Sequence, residues 1–130
     1  MAYKFLVVDD ESAIRELFTE LLAKEKHEVK SAASAEDGWA MLEKEDFNVV
    51  LLDIKLPGAS GFDLLQKIKA AKPSSIVIMI TGFGYDDSLI NKCKDLGCSG
   101  YIGKNMSVSQ IMNNIKLFIN AAKDKQIRSA

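Results

Sequence analysis

Short apolar segments alternate with amphipathic helical segments five times along this 130-residue chain, and this alternation limits the possible folds more than any other feature. The segments before Asp9, Asp53 and Thr81 are unbroken runs of four or five hydrophobic residues. Such runs are typical of strands that are buried on both faces of a parallel sheet. Strands joined by helices cross over in the right-handed sense, which covers both faces of the sheet with helices. The sequence therefore predicts an α/β fold.

The order of the strands follows from how buried each segment can be. The second segment, 27–32, alternates polar and apolar residues, and the fifth, which ends before Lys104, is short. Both features are typical of edge strands, so we expect a five-stranded parallel sheet of order 2-1-3-4-5. This is the flavodoxin-like doubly wound (βα)5 sandwich, whose ligands bind where the order reverses between strands one and three.

Helix-capping signals mark the starts of several predicted helices. Asp10 is a suitable cap for the first helix, because its side chain can accept a backbone hydrogen bond. Ser34 precedes the second helix, and Ser107 with Gln110 forms a capping-box pattern before the last. In the last helix, Leu117 falls opposite the apolar face.

Length and composition exclude several classes of protein. The length fits one domain, predicted as 1–122, with a polar tail at 123–130 that is expected to fray. A formal net charge of −1 at pH 7 argues against direct nucleic-acid binding. The apolar runs are too short to span a membrane, and no signal-peptide pattern begins the chain, so a cytoplasmic location is expected. Cys93 and Cys98 are interpreted as reduced thiols, and His27 as a surface residue.

Polar side chains that can bind ions or take part in a reaction follow the strands at their carboxyl ends. In an open parallel sheet these ends meet at one crevice. We therefore expect one cluster that contains three carboxylates, a hydroxyl and an ammonium, from Asp9, Asp10, Asp53, Thr81 and Lys104. Neighbouring carboxylates repel each other, and a hard cation such as Mg²⁺ relieves the repulsion while leaving positions open for phosphate oxygens.

This set of groups suits phosphoryl transfer. An ionised aspartate is a competent nucleophile towards phosphorus. Charge on the transferring group would be stabilised by the metal, by the Lys104 ammonium and by the Thr81 hydroxyl. The sequence therefore predicts a site for a divalent cation and a phosphoryl group together.

The motifs, taken in order from about Tyr3 to Ala122, resemble the receiver domain of two-component response regulators. The acidic pair resembles the metal-binding pair of that family, and the segment 51–58 resembles the loop around its phosphorylated aspartate. The resemblance implies a role for each residue. Asp9 and Asp10 would be metal ligands, and Asp53 would be both the phosphoacceptor and a metal ligand. Thr81 would supply the switch hydroxyl, and Lys104 would bind the phosphoryl group.

The resemblance implies further functional properties. The backbone carbonyl of Lys55 would complete the protein ligands of Mg²⁺, for which Mn²⁺ is a chemical substitute, and Tyr101 would be the aromatic residue that reorients on activation. The phosphoryl donor would be a histidine kinase, a phosphotransfer protein or a small acyl phosphate. A downstream protein effector would bind the surface of the fourth helix, the fifth strand and the fifth helix. Such a protein is a switch that promotes only its own phosphorylation and dephosphorylation, and is not otherwise an enzyme.

The sequence departs from the family pattern at three positions. Most receivers have a proline after the lysine, but here Asn105 follows, and a cis bond to a non-proline residue costs several kcal/mol, which favours a trans bond. Lys55 places a cation two residues beyond Asp53, where it either leans over the site or points to water. Phe83, two residues after Thr81, is hypothesised to hinder the attacking water and lengthen the life of the phosphoryl group.

Two other classes of function remain as alternatives. A receiver-like interaction module that is never phosphorylated is disfavoured, because such a module has no need to keep the complete acidic set. A flavin binder or an aspartate-based phosphatase is disfavoured because the first strand is followed neither by a glycine-rich phosphate loop nor by an Asp-x-Asp motif.

Overall fold

The computed structural model describes residues 2–82 and 86–129, with side chains described as far as residue 124. Strands and helices alternate along the chain as expected, with one additional short hairpin after the third strand. In chain order the elements are β1 (Lys4–Val8), α1 (Ser12–Lys24), β2 (Glu28–Ala32), α2 (Ala35–Lys44), β3 (Val49–Asp53), β4 (Lys55–Leu56), β5 (Ala59–Ser60), α3 (Gly61–Ala71), β6 (Ile76–Thr81), α4 (Asp87–Asp95), β7 (Gly100–Gly103) and α5 (Val108–Ser129).

The main sheet has five parallel strands in the order β2-β1-β3-β6-β7. Setting the β4–β5 hairpin aside, this is the predicted order 2-1-3-4-5, and the fold class is confirmed. The central strands β3 and β6 are buried along their whole length. The partly exposed β2 and the four-residue β7 lie at the edges, since neither carries enough apolar surface for a central position.

Two apolar layers hold the helices on opposite faces of the sheet. On one face, α2, α3 and α4 pack over the sheet through a cluster that includes Leu42, Leu65 and Cys93. On the other face, α1 and α5 pack through a second cluster that includes Phe18 and Ile115. Since both faces are covered, the polar groups of the central strands can reach solvent only at the strand ends.

Two of the three predicted helix caps are confirmed. Ser34 Oγ accepts a hydrogen bond at 3.1 Å from the backbone N–H of the third residue of α2. Ser107 and Gln110 form the reciprocal capping box at the start of α5, with hydrogen bonds of 3.1 and 3.2 Å. The assignment of Asp10 as a cap is wrong, because α1 begins one residue later with Glu11 at its N-cap.

Other features refine the sequence-based picture. The β4–β5 hairpin turns through Gly58, whose φ of +71° is a conformation that glycine adopts without strain. Helix α5 continues to Ser129, so the backbone of the segment that was expected to fray is helical as far as that residue. The peptide bond before Asn105 is trans, as the absence of proline favours.

Within residues 2–82 and 86–129, no helix combines the length and the apolar composition that crossing a bilayer requires.

Candidate active site

Four strands deliver the predicted functional groups to one end of the sheet. Asp9 follows β1, Asp53 ends β3, Thr81 ends β6, and Lys104 follows β7. The side chains of Asp9 and Thr81 have no exposed surface, and Asp53 is 5% exposed. Burial of these polar groups at the end of an apolar sheet is costly unless they are paired or bind a ligand.

The backbone after β3 is folded tightly against Asp53. A Cβ atom on Gly61, the first residue of α3, would lie 2.0 Å from the Asp53 carbonyl oxygen. The Gly61 N–H donates a 2.6 Å hydrogen bond to the Ile54 carbonyl, which closes the β4–β5 hairpin back onto the end of β3. Only glycine fits this close approach, and the contact fixes the backbone that carries the Asp53 side chain.

Four carboxylates are gathered beside the strand ends. One oxygen from each of Asp9, Asp10, Glu11 and Asp53 lies within 4.8 Å of the others. Asp9 is held firmly in this group, because its Oδ1 accepts the Glu11 N–H at 2.9 Å and its carbonyl accepts a hydrogen bond from Arg15 Nη1 at 2.7 Å. The acidic side chains therefore lie in the order and proximity that the sequence predicts, with Glu11 as an additional member.

The Lys104 ammonium lies among these carboxylates. Its Nζ is 2.6 Å from Glu11 Oε1 and 3.1 Å from both Asp9 Oδ2 and Asp53 Oδ2. Partial burial tends to lower the pKa of Lys104, but the contacts with Glu11, Asp9 and Asp53 outweigh it and raise the pKa above its usual value. Lys104 is therefore charged at all physiological pH values and offsets part of the acidic repulsion.

The Asp53 carboxyl has its pKa raised above the usual value for aspartate. Burial is the main cause and the charge of Asp9 the second, whereas Lys104 and the backbone N–H of Lys55 act in the opposite direction. The Lys55 N–H contributes through a 3.4 Å hydrogen bond to Asp53 Oδ1. Burial and the neighbouring Asp9 charge therefore favour the protonated form of Asp53, and Lys104 offsets only part of this effect.

The donor set at this end of the sheet fits a hard divalent cation. Asp9 Oδ2 is buried, and the Lys104 ammonium lies 3.1 Å from it. A buried carboxylate oxygen, beside the further carboxylates of Asp10 and Asp53, is the kind of ligand that Mg²⁺ prefers. The residues gathered here therefore fit a hard divalent cation.

An open cleft of about 580 Å³ gives solvent and larger molecules access to the acidic cluster. Asp53 lies at its base, and Lys55 and Pro57 belong to its rim, where the Lys55 side chain is exposed. The cleft also includes Gly82, directly after Thr81. Phe83, which the sequence suggests as a barrier to water, lies outside the described residues.

Thr81 and Tyr101 lie behind the acidic cluster on neighbouring strands. Tyr101 is only 8% exposed and Thr81 is fully buried. Burial raises the pKa of the Tyr101 phenol, and a hydrogen bond with the Thr81 side chain acts against this rise. The two residues that the family resemblance pairs as a switch are therefore in direct polar contact.

Glu11 is the member of the site that the sequence did not reveal. Its backbone is the N-cap of α1, but its side chain makes no capping hydrogen bond and instead contacts Lys104. The available signal was its position directly after the acidic pair, at the same strand end as Asp9. A third consecutive acidic residue there is also consistent with a solvated helix start, so the sequence alone did not distinguish the two.

Comparison with protein-family models identifies the chain as a response regulator receiver domain across residues 5–116. Among curated proteins, sporulation initiation phosphotransferase F of Bacillus subtilis is 32% identical over 119 residues, which cover 92% of this chain and 95% of that protein. The response regulator protein PilR of Pseudomonas aeruginosa is 40% identical over 91 residues, or 70% of this chain. Those residues span only 20% of PilR, which is a much longer protein.

Solved structures show the same similarity. A CheY-like response regulator receiver domain protein from Methanospirillum hungatei superposes with a TM-score of 0.86 at 32% identity, over 96% of this chain and 99% of that one. NtrX from Brucella abortus superposes with a TM-score of 0.90 at 31% identity, over 99% of this chain but 30% of NtrX. Fold, site geometry and sequence similarity thus agree, and the chain belongs to the response regulator receiver domain family.

Proposed function

We propose that this receiver domain is a switch operated by phosphorylation of Asp53. One observation carries the proposal: a buried carboxylate at the base of an open cleft lies among three other carboxylates and a charged lysine. A structural salt bridge does not need four acids for one ammonium. The excess acidity is understandable if the site exists to bind a cation together with a phosphoryl group.

Asp9, Asp10, Asp53 and the backbone carbonyl of Lys55 are the proposed protein ligands of Mg²⁺, with Mn²⁺ as a substitute. When bound, the ion supplies positive charge that offsets both the carboxylates and the incoming phosphoryl oxygens. The burial of Asp9 Oδ2 beside the carboxylates of Asp10 and Asp53 supports this assignment. Glu11 lies close enough to the same ligands to influence the ion, although its present contact is with Lys104.

In the proposed reaction, an Asp53 oxygen forms a bond to phosphorus as the bond from phosphorus to the donor breaks. For a phosphohistidine donor the leaving group is the imidazole nitrogen, and for an acyl phosphate it is the carboxylate oxygen. Lys104, already 3.1 Å from Asp53 Oδ2, is placed to hold one equatorial oxygen of the phosphoryl group. The Thr81 hydroxyl is the proposed partner of another.

Switching is proposed to act through Thr81 and Tyr101. Phosphorylation adds negative charge and strong acceptor oxygens, which compete with Tyr101 for the Thr81 hydroxyl. Two conformations of the Thr81 and Tyr101 side chains would differ in affinity for the phosphoryl group. Phosphorylation would therefore shift the populations of these conformations. The proposed readout surface comprises α4, β7 and α5, where Leu117 is 63% exposed and is available to a downstream protein effector.

The proposed partners are proteins on both sides of the signal. A histidine kinase or phosphotransfer protein would deliver the phosphoryl group, and an effector protein would recognise the α4–β7–α5 surface. No direct contact with nucleic acid or membrane is part of the proposal. The alternative, an interaction module that is never phosphorylated, is disfavoured because the described site contains the acidic cluster and the lysine that the proposed reaction uses.

Incubation with acetyl phosphate and Mg²⁺, followed by intact-mass measurement, tests the proposal. The wild-type chain is expected to gain one phosphoryl mass, and the Asp53→Ala variant none. Lys104→Met should react about 100-fold more slowly, the typical effect of losing one preorganised charge-stabilising donor. Asp63→Asn, an exposed acid on α3, is the matched control and should react like wild type. A wild-type chain without any gain, or an Asp53→Ala variant with the same gain, would refute the proposal.

A further inference from the structure

Two cysteines at the end of α4 lie in direct contact, and neither lines the acidic cleft. Gly97, with a φ of +92°, turns the chain sharply after the helix. Because of this turn, the Cys98 N–H donates a 2.9 Å hydrogen bond to the Cys93 carbonyl, and the two thiol groups are also hydrogen-bonded to each other. This is a helix C-cap of the Schellman type, which brings side chains five residues apart together.

The two thiols have opposite environments. Cys93 is fully buried, and its hydrogen bond to Cys98, together with burial, raises the pKa of its thiol. The same hydrogen bond lowers the pKa of the Cys98 thiol. Burial acts against this effect, whereas the Gly100 N–H and the nearby Lys69 and Lys94 add to it. Cys98 is also partly exposed. It therefore combines a lowered pKa with solvent access, the two features of a reactive cysteine, whereas Cys93 is positioned as its resolving partner.

A cavity gives small molecules access to the cysteine pair. It has a volume of about 280 Å³, and its walls include Cys93, Cys98, Tyr101 and the Phe118 side chain. The ring of Phe118 packs directly over Gly100, where a Cβ would lie 2.2 Å from it, so α5 closes one side of this space. A peroxide is small enough to enter such a cavity, and the cavity is bordered by the switch residue Tyr101.

We propose that Cys93 and Cys98 form a redox-active dithiol that peroxides oxidise to an intramolecular disulfide in the folded protein. The Cys98 thiolate attacks the peroxide O–O bond, which gives a sulfenic acid at Cys98 and releases the second oxygen as an alkoxide or hydroxide that takes up a proton. The Cys93 sulfur then displaces hydroxide from the sulfenic sulfur, and the Cys93 proton leaves with it as water. In total, two electrons pass from the thiols to the peroxide, and one disulfide, one alcohol or water, and one further water are formed.

Oxidation of the folded wild-type chain by hydrogen peroxide tests the proposal. After the reaction, free thiols are alkylated under denaturing conditions and the protein is digested with trypsin. The expected product is the peptide containing Cys93 linked to the peptide containing Cys98, with a mass loss of two hydrogen atoms and no covalent dimer. The reaction should be about tenfold or more faster than in urea-unfolded protein, because the folded chain holds the sulfurs together.

Two single-cysteine variants separate the roles of the thiols. Cys93→Ala should accumulate a sulfenic acid at Cys98 that dimedone traps, whereas Cys98→Ala should leave the buried Cys93 reduced under the same conditions. Three results would overturn the proposal: both wild-type thiols remain alkylatable after peroxide treatment, the disulfide forms only between chains, or the disulfide forms no faster in folded than in unfolded protein. The wild-type measurement is decisive even if one variant fails to fold.

Discussion

Lys104 lies closer to Glu11 than to Asp53, because its ammonium nitrogen is 2.6 Å from Glu11 Oε1 and 3.1 Å from Asp53 Oδ2. Glu11 is largely exposed, whereas Asp53 is buried, so the shorter contact is made to the better solvated acid. For Lys104 to hold a phosphoryl oxygen, it must give up some of its contact with Glu11. We therefore expect Glu11 to compete with the incoming phosphoryl group for the lysine.

Replacement of Glu11 by Gln is expected to raise the rate of Asp53 phosphorylation by acetyl phosphate about two- to fivefold. This corresponds to the fraction of a kcal/mol that an exposed ion pair typically contributes. The measurement is the initial rate of phosphoryl incorporation at saturating Mg²⁺. Glu16→Gln, an exposed change on α1, is the control and should not alter the rate. A slower Glu11→Gln variant would show that Glu11 assists the reaction rather than competing with it.

The raised pKa of Asp53 has a consequence for stability. Because the folded chain binds the Asp53 proton more tightly than the unfolded chain, this group stabilises the fold below the ordinary aspartate pKa near 4, and that contribution is lost as the pH rises through the folded pKa. At pH 7 without Mg²⁺, Asp53→Asn should therefore increase the free energy of unfolding by about 1–2 kcal/mol, because it removes the cost of burying this charge and its repulsion by Asp9, less the lost contact with Lys104.

Urea denaturation at pH 7 in the presence of a chelator measures this effect, and repetition with millimolar Mg²⁺ should reduce or reverse the difference by stabilising wild type. Asp63→Asn serves again as the control, with an expected change within about 0.5 kcal/mol. A metal-free Asp53→Asn variant that is less stable than wild type would mean that Lys104 more than compensates the burial of Asp53.

The contact between Gly61 and the Asp53 carbonyl predicts strong sensitivity to a single methyl group. In Gly61→Ala the new Cβ cannot stay 2.0 Å from backbone oxygen, so α3 or the end of β3 must move. We expect a loss of about 2–3 kcal/mol in the free energy of unfolding and a lower rate of Asp53 phosphorylation. Denaturant titration measures the loss of stability, and the acetyl phosphate assay measures the phosphorylation rate.

Gly58→Asn is the matched control for Gly61→Ala. Gly58 has a positive φ, but no atom lies within 4 Å of the position of its Cβ, and asparagine tolerates this conformation better than other residues with a side chain. Its stability should stay within about 0.5–1 kcal/mol of wild type. Equal losses in the two variants would mean that the loop, rather than the approach to Asp53, is the sensitive feature.

His27 provides a pH-dependent contribution far from the acidic cluster. Its Nδ1 accepts the Tyr3 N–H at 3.0 Å, and its ring stacks on the Tyr3 ring. Burial lowers the pKa of His27, and Glu25 only partly opposes this. Folding thus favours the neutral form of His27. The stabilisation that this residue gives to the fold is present above the unfolded pKa near 6.5 and is lost as the pH falls through the folded pKa.

Between pH 7.5 and 5, wild type should lose about 0.5–1 kcal/mol more of its free energy of unfolding than His27→Gln, which is the scale of one net hydrogen bond. Thermal or urea unfolding at several pH values measures the difference. Parallel pH profiles for the two proteins would show that protonation of His27 does not disturb its contact with Tyr3.

The strand order and the meeting of distant polar groups were predictable because both depend on simple patterns. Continuous apolar runs identify the central strands. The residues that follow these runs must lie together, because the carboxyl ends of parallel strands are at the same end of the sheet. This pattern predicts that Asp53 and Lys104 lie close together although 51 positions separate them, and the two side chains are in contact. The capping box before α5 was predictable for the same reason, because it depends on neighbours in sequence.

The contacts that were not predictable are those that local sequence leaves undetermined. A carboxylate at a helix start can cap the helix or pair with a cation elsewhere, and the partner of Glu11 lies 93 positions away. Asp10 was wrongly assigned as the cap for the same reason. His27 was expected at the surface, but it is partly buried against the rings of Tyr3 and Phe5, which belong to a different segment of the chain.

The central claim is that the phosphoryl group is carried by Asp53 itself, and the most direct measurement locates it. After reaction with acetyl phosphate and Mg²⁺, borohydride reduction converts an aspartyl phosphate to homoserine, which peptide sequencing by mass spectrometry identifies. The account predicts homoserine at position 53 and unchanged aspartate at positions 9 and 10. Homoserine at position 9 or 10, or none in the chain, would contradict it.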